Sequence, residues 1–429
     1  MARRWASLTA VSRSRWSEAG MKPDTCIIRA AASALAAVAA TALPLPGLAA
    51  PFVPQSGAQV LETLPRWGDA PDAALRRQRA QIAAAPHDPV LAAEAARQYI
   101  ERGRASGDPR YFGYAQAVLA PWWKSAAPPV QVLLLRATLL QSSHRFAESI
   151  RDLGAVTRAD PANPQAWLTL ATVQVVRGEY DAAVRSCGRL SSLASQLAGM
   201  ACLANARAAS GQLAASEHLL ALAIERSGRG QGASSASDAG LRLWALTLFG
   251  ELAYRRADAV RAEERFRLGL GLAPGDSYLL GAYADLLLDQ GRGEEVQALL
   301  RKHLRIDGLL LRHTIAASRS APAAPAVTSA VADLQARFDA AARRGDAIHQ
   351  REQARFELHL RHDARAALQL ALANWQVQKE PADLRILLEA ALAARDPEAA
   401  RPALAWRRRH GLEDSLVASL ARQLEGGAP

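Results

Sequence analysis

The chain has 429 residues and a formal net charge of +11 at neutral pH, with 22% charged and only 5% aromatic residues. That length fits two or three ordinary domains or one long solenoid, and abundant alanine with scarce β-branched runs favours helix over strand. The basic residues are nearly all arginine, with lysine only at positions 22, 124, 302 and 379. No continuous basic stripe with interleaved aromatics is present, which argues against nucleic-acid binding.

Residues 1–49 are predicted to be an export signal. Lys22 and Arg29 precede an apolar, alanine-rich run from Ala30 to Leu43, which Pro44, Pro46 and Gly47 break. Gly47 and Ala49 put small residues at both positions that a signal peptidase reads, so cleavage is expected between Ala49 and Ala50. The run falls short of the roughly 20 residues a spanning helix needs; an uncleaved anchor is the alternative. Met21 stands where a signal of this kind ordinarily begins, so residues 1–20 read as an over-long start. The leader carries six basic and two acidic residues, and without it the chain is 46 basic to 39 acidic, about +7. Export to a bacterial periplasm is the expectation.

Residues 50–88 form a lead-in, rich in Pro and Gly up to Pro71 and then helical from Ala73 to Ala85. A first repeat starts near Pro89, with Ala92, Ala95, Ala96 and Tyr99 at helical spacing and Gly103 after them. A second helix is predicted from Tyr111 to Trp123. Its aromatics, Tyr111, Phe112, Tyr114, Trp122 and Trp123, read as core packing, with a binding surface as the alternative.

The stretch Asp160–Cys187 has the strongest pattern. Pro161 and Pro164 punctuate it, and Asn163 is placed to cap the helix that Pro164 opens. Trp167, Leu170, Ala171 and Gln174 fall on one face, Gly178 marks a turn, Tyr180 follows it, and Ala183 leaves room for a close second helix. A preceding copy aligns Val130 with Pro164 and puts Leu133, Ala137, Leu140 and Phe146 in register. A third begins near Leu197 and carries Leu203, Ala204, Gly211 and Leu220. Residues 227–240, rich in Gly and Ser, read as a flexible loop. Copies at Leu243 and Ser277 repeat the step from Val130 to Pro164, marked by Phe249, Gly250, Ala262 and Phe266, then Tyr283, Ala284, Leu287 and Gly291. An Ala/Pro linker covers 316–328, and a lone helix Ala330–Arg344 restarts the array. Weaker repeats follow near Ile348 and Pro381, and Asp414–Leu424 reads as a terminal cap.

This pattern and its period resemble the tetratricopeptide repeat of exported bacterial proteins. The resemblance implies an all-α, right-handed α-solenoid of helix-turn-helix repeats. Its parts would be an N-terminal array over 89–226, a central pair over 241–315, and C-terminal helices with a cap over 329–429. Most motif residues would then be structural, and binding would fall to the concave face built from the first helix of each pair. Stepping along those helices gives Gln131, Leu134, Thr138 and Gln141, then Gln165, Leu168, Thr172 and Val175, then Ala198, Ala201 and Asn205. Thr138, Thr172 and Asn205 are equivalent positions, either a polar ladder for the backbone of an extended peptide or simply solvated side chains. The central pair presents Trp244, Thr247, Glu251 and Tyr254, then Tyr278, Asp285 and Asp289, an aromatic and acidic set suited to a basic or apolar peptide. The family's clamp for a C-terminal carboxylate is not carried over, since Asn205 has only Ala201 beside it.

Cys187 and Cys202 lie on elements that should pack side by side, which leaves either a disulfide or two free buried cysteines. Catalytic and phosphate-binding motifs are missing. His359 and His362 are three apart but lack a third ligand, so surface histidines are the reading, and the run Arg407–His410 reads as a solvated helix end. No cofactor, metal, small-molecule substrate or enzymatic activity is expected. The expected function is a periplasmic scaffold that binds a protein or peptide partner, with peripheral contact to an envelope complex compatible with it. The alternatives are an accessory subunit of a secretion, polysaccharide-export or metal-transport system, or an enzyme whose site has no recognisable motif.

Overall fold

A computed structural model describes residues 70–106, 108–229, 236–345 and 349–426. The expected signal, its cleavage point and most of the lead-in lie outside these residues. The described residues are helical throughout, without strands. The helices are α1 (Ala70–Ala84), α2 (Pro89–Ser106), α3 (Arg110–Val118), α4 (Ala120–Trp123), α5 (Val130–Ser142), α6 (Phe146–Ala159) and α7 (Pro164–Val176). They continue as α8 (Tyr180–Ser191), α9 (Gln196–Ala208), α10 (Leu213–Arg229), α11 (Ala236–Arg255), α12 (Ala259–Leu272), α13 (Ser277–Asp289) and α14 (Gly293–Leu300). The last seven are α15 (Asp307–Ser320), α16 (Pro325–Arg343), α17 (Gln350–Phe356), α18 (Ala364–Val377), α19 (Pro381–Ala394), α20 (Pro397–His410) and α21 (Ser415–Gly426). A π-helical turn, Glu357–Arg361, follows α17.

The turns inside the pairs set the register. Each needs one residue in the left-handed region, and these fall at His144, Gly178 and Gly211, spaced 34 and 33. After the break they recur at Ala257 and Gly291, spaced 34, and later at His362 and Arg395, spaced 33. The incoming helices start on polar caps: Asn163 Oδ1 accepts from the Ala166 amide at 3.0 Å, and Asp276 Oδ1 from the Leu279 amide at 2.8 Å, which satisfies amides that the first turn leaves orphaned. Five places after each turn residue a small or β-branched side chain is fully buried: Ser149, Ala183, Ser216, Ala262 and Val296. That is where the second helix meets the first. Each pair buries one side against the next, so the array is a solenoid of TPR-like helix pairs with a core spread along its length.

Several predicted boundaries move. The expected loop over 227–240 is helical at both ends, through Arg229 and from Ala236, leaving only 230–235 outside the described residues. Residues 316–328 do not form a linker: α15 runs to Ser320 and α16 begins at Pro325, where proline suits a first helical turn. The helix predicted over Tyr111–Trp123 breaks at Leu119, because Pro121 cannot donate the backbone bond that would continue it. No described helix is long and apolar enough to cross a membrane.

Two glycines test the packing. A Cβ added at Gly250 would lie 2.4 Å from the Phe266 ring, which is fully buried, whereas one at Gly188 in the middle of α8 would meet nothing within 4 Å. Gly250→Ala should therefore destabilise by about 1–3 kcal/mol through overpacking, while Gly188→Ala should stabilise by about 0.5–1 kcal/mol through helix propensity. Urea titration of the two variants checks this, and equal effects would refute the assigned register.

Candidate functional site: the first-helix face and the helices that close on it

In the N-terminal half the candidate positions divide in two. Thr138 and Thr172 each donate the hydroxyl proton to the carbonyl four residues back, Leu134 and Leu168, at 2.9 Å. Thr138 is also buried, as are Ala198 and Ala201, so the expected threonine ladder is turned into its own helices rather than toward a ligand. Gln165 donates to Thr169 Oγ1 at 3.1 Å. Gln131, Gln141 and Asn205 are different. They are partly buried, and their amide ends make no hydrogen bond to any described residue.

In the central pair the acidic and aromatic candidates are already engaged, and by this chain. Asp285 on α13 sits between two guanidinium forks, with Arg312 of α15 at 2.9 and 2.7 Å and Arg355 of α17 at 3.1 and 2.7 Å. Tyr254 of α11 donates to Asp289, and Arg385 of α19 grips the same carboxylate at 2.6 and 2.7 Å while its Nε reaches Glu389 at 2.7 Å. Tyr278 donates to Glu251 Oε1 at 2.6 Å, yet the residue is 60% exposed. Trp244 packs among the α9–α11 side chains. Of the groove acids that sequence assigned to a basic partner, Asp285 and Asp289 thus hold arginines of α15, α17 and α19, and Glu251 holds Tyr278.

Those helices also close on the row of turns. The Lys379 amide donates to the Val176 carbonyl at 2.7 Å, and Tyr180 Oη donates to the Lys379 carbonyl at 3.4 Å. The Tyr180 ring meets Trp406 and His410 edge-on, at 5.9 and 5.3 Å between centroids. A Cβ on Gly178 would come within 3.0 Å of Trp406, and one on Gly211 within 3.0 Å of the Gly411 carbonyl. Both glycines have positive φ, so turn geometry and close approach exclude a side chain there for separate reasons. Further along, Arg255 donates to the Ala208 carbonyl at 2.7 Å and the Glu413 carbonyl at 2.8 Å. Segments far apart in the chain are thus joined by backbone groups as well as charges.

The electrostatics follow from this enclosure. Burial pushes Glu251 up to about 7, with the Tyr278 hydrogen bond opposing. For Asp285 burial works upward too, but Arg312 and Arg355 overrule it and hold the carboxyl well below its usual range. Glu389 behaves likewise: burial would raise it, and His359 and Arg385 bring it down to about 2. Beneath them lies a hub around the fully buried Asp383, which accepts from Asn374 at 2.8 Å, Gln378 at 3.0 Å and the Glu380 amide at 2.9 Å, with Arg351 at 3.4 Å. Cys187 and Cys202 are joined in a disulfide between α8 and α9, with Cα atoms 5.5 Å apart. Among the described residues no group of three His, Cys, Asp or Glu is placed to hold a metal ion.

Glu251 carries a pH prediction. Its folded value is raised above the ordinary 4.5, so the protonated form is the one the fold favours. Its stabilising contribution is complete below pH 4.5 and is lost as pH rises through 7. Glu251→Gln, which keeps an acceptor for Tyr278, should melt higher than wild type at pH 8 and lose that advantage by pH 4.5. A difference in melting temperature independent of pH would contradict the burial of this carboxyl.

No protein-family model matches the chain, and no curated protein matches it. Among solved structures it is similar to a thermophilic TPR protein of Thermus thermophilus, at 20% identity over 50% of this chain and 98% of that one, with a TM-score of 0.35. It is similar to a tetratricopeptide repeat protein of Parabacteroides merdae at 12% identity, covering 69% and 99% with a TM-score of 0.33. A third likeness is to the Cut9–Hcn1 tetramer of the APC/C, at 12% identity over 82% of this chain and 59% of that one, with a TM-score of 0.40. These likenesses concern fold alone. The repeat register of the turns and buried small residues described above makes the protein an all-α, TPR-like solenoid.

Proposed function

We propose that this protein is an exported interaction scaffold that holds a protein or peptide partner in the bacterial cell envelope. The observation that carries the reading is the split along the first-helix face. The acids Glu251, Asp285 and Asp289 are spent on intramolecular contacts, whereas Gln131, Gln141 and Asn205 keep open amides that can pair with an extended backbone. The partner surface therefore belongs to the N-terminal array rather than to the acidic central pair. The Cys187–Cys202 disulfide supports export, because such bonds persist in oxidising compartments, and cleavage between Ala49 and Ala50 remains the expected route.

The test is crosslinked capture from envelope fractions with wild type and with a Gln131→Ala, Gln141→Ala, Asn205→Ala variant whose helicity and melting temperature are unchanged. Loss of one specific partner from the variant is the expected result. An unchanged set of partners would place the interface elsewhere and defeat the proposal. Recovery of the chain from the cytoplasm with its leader intact would defeat the export half.

A further inference from the structure

A second site stands apart from the first-helix face. The segment 301–306 joins α14 to α15 and, together with α16, borders a shallow, open pocket of about 590 Å³. Its rim carries Arg301, Lys302, Arg305 and Arg337, and its floor is apolar, built on Leu304 and Leu310. Arg337 is fully spoken for: it pairs with Asp307 at 2.7 Å and Asp333 at 2.8 Å, and it donates to the Arg305 carbonyl at 3.3 Å, pinning the segment. The other three cations have no hydrogen-bond or ion-pair partner among the described residues. Because Arg337 consumes both nearby carboxylates, the rim keeps an excess of positive charge. The first turn of α16 adds to it, with no acidic residue, no side-chain cap, and Ala326 on the cavity wall.

Three cations gathered without a counter-charge repel one another, a cost that an anion relieves. One carboxylate neutralises one of them. A phosphoryl group carries about −1.5 to −2 charge and three strong acceptor oxygens, enough to engage two guanidinium forks and an ammonium together. The cavity is larger than a bare phosphate requires, and its apolar floor suits a hydrocarbon stem. We propose that this pocket binds a phosphoryl group. Two sources share that chemistry: a lipid whose headgroup is a phosphomonoester and a free phosphate.

The probes are a short-chain phosphatidic acid, inorganic phosphate, a short-chain phosphatidylcholine and an acidic tetraglutamate peptide, each titrated calorimetrically into the full mature chain. Saturable phosphatidic acid binding is expected, weakened at least tenfold in an Arg301→Ala, Lys302→Ala, Arg305→Ala variant, with phosphatidylcholine inert. These side chains pair with no described residue, so the variant should melt at or above the wild-type temperature. Equal affinity for inorganic phosphate would assign the site to free phosphate and remove the role of the apolar floor while keeping the phosphoryl site. Absence of binding by both phosphatidic acid and inorganic phosphate, binding unchanged in the variant, or tighter binding of the tetraglutamate peptide would each overturn the proposal.

Discussion

A helix pair with one apolar side has to find another pair to cover it, and in an open solenoid the inner face then stays wet. Here the chain covers part of that face with its own C-terminal helices. The join is made at several levels: the Lys379 amide on the Val176 carbonyl, the Gly211 turn against Gly411, the aromatic contact of Tyr180 with Trp406, and the arginine forks on Asp285 and Asp289. Partly buried pairs of this kind contribute little net stability on their own, because desolvation offsets attraction. They specify geometry, since an arginine left without its carboxylate in that interior is strongly disfavoured. The backbone bond and the close glycine contact supply the remainder.

The local half of this architecture is legible in the chain. Asn163 before Pro164, the regular step from Val130 to Pro164, and the equivalence of Phe146 with Tyr180 and of Gly178 with Gly211 all act within one repeat or between neighbours. Near-neighbour chemistry determines them. The contact of Arg385 with Asp289 spans 96 residues and leaves no periodic trace. Helical spacing therefore groups the acids of the central pair on one face but cannot show that this chain's own arginines reach them. Stepping by helical spacing fails in part of the third copy for a related reason: Ala198 and Ala201 are small enough to pack against their neighbours and are core, while Asn205, one turn on, is only partly buried. The cations at 301, 302 and 305 have no aromatics between them, so they do not match the interleaved basic stripe of a nucleic-acid binder. A run of like charges in a connecting segment is the signal that marks them.

The outcome is a solenoid with two distinct unpaired polar surfaces and one occupied one. The unpaired, uncharged amides of Gln131, Gln141 and Asn205 lie in the N-terminal array. Uncompensated positive charge lies beside α16, at the far end of the central pair. Between them the acidic inner face is held by the chain's own arginines, which fixes the mutual position of the other two. The disulfide between α8 and α9 ties the N-terminal array where Tyr180 and the turns receive the C-terminal helices.

The C-terminal helices close on the turns of the N-terminal array, and one amide reports on that closure. The Lys379 N–H lies between α18 and α19 and finds its acceptor in the carbonyl of Val176, in the distant N-terminal array. Residue-resolved hydrogen exchange on the intact chain should find it protected to the level of the flanking helices. Exchange at the rate of an exposed loop amide, with α18 and α19 themselves protected, would mean the two halves do not close on each other.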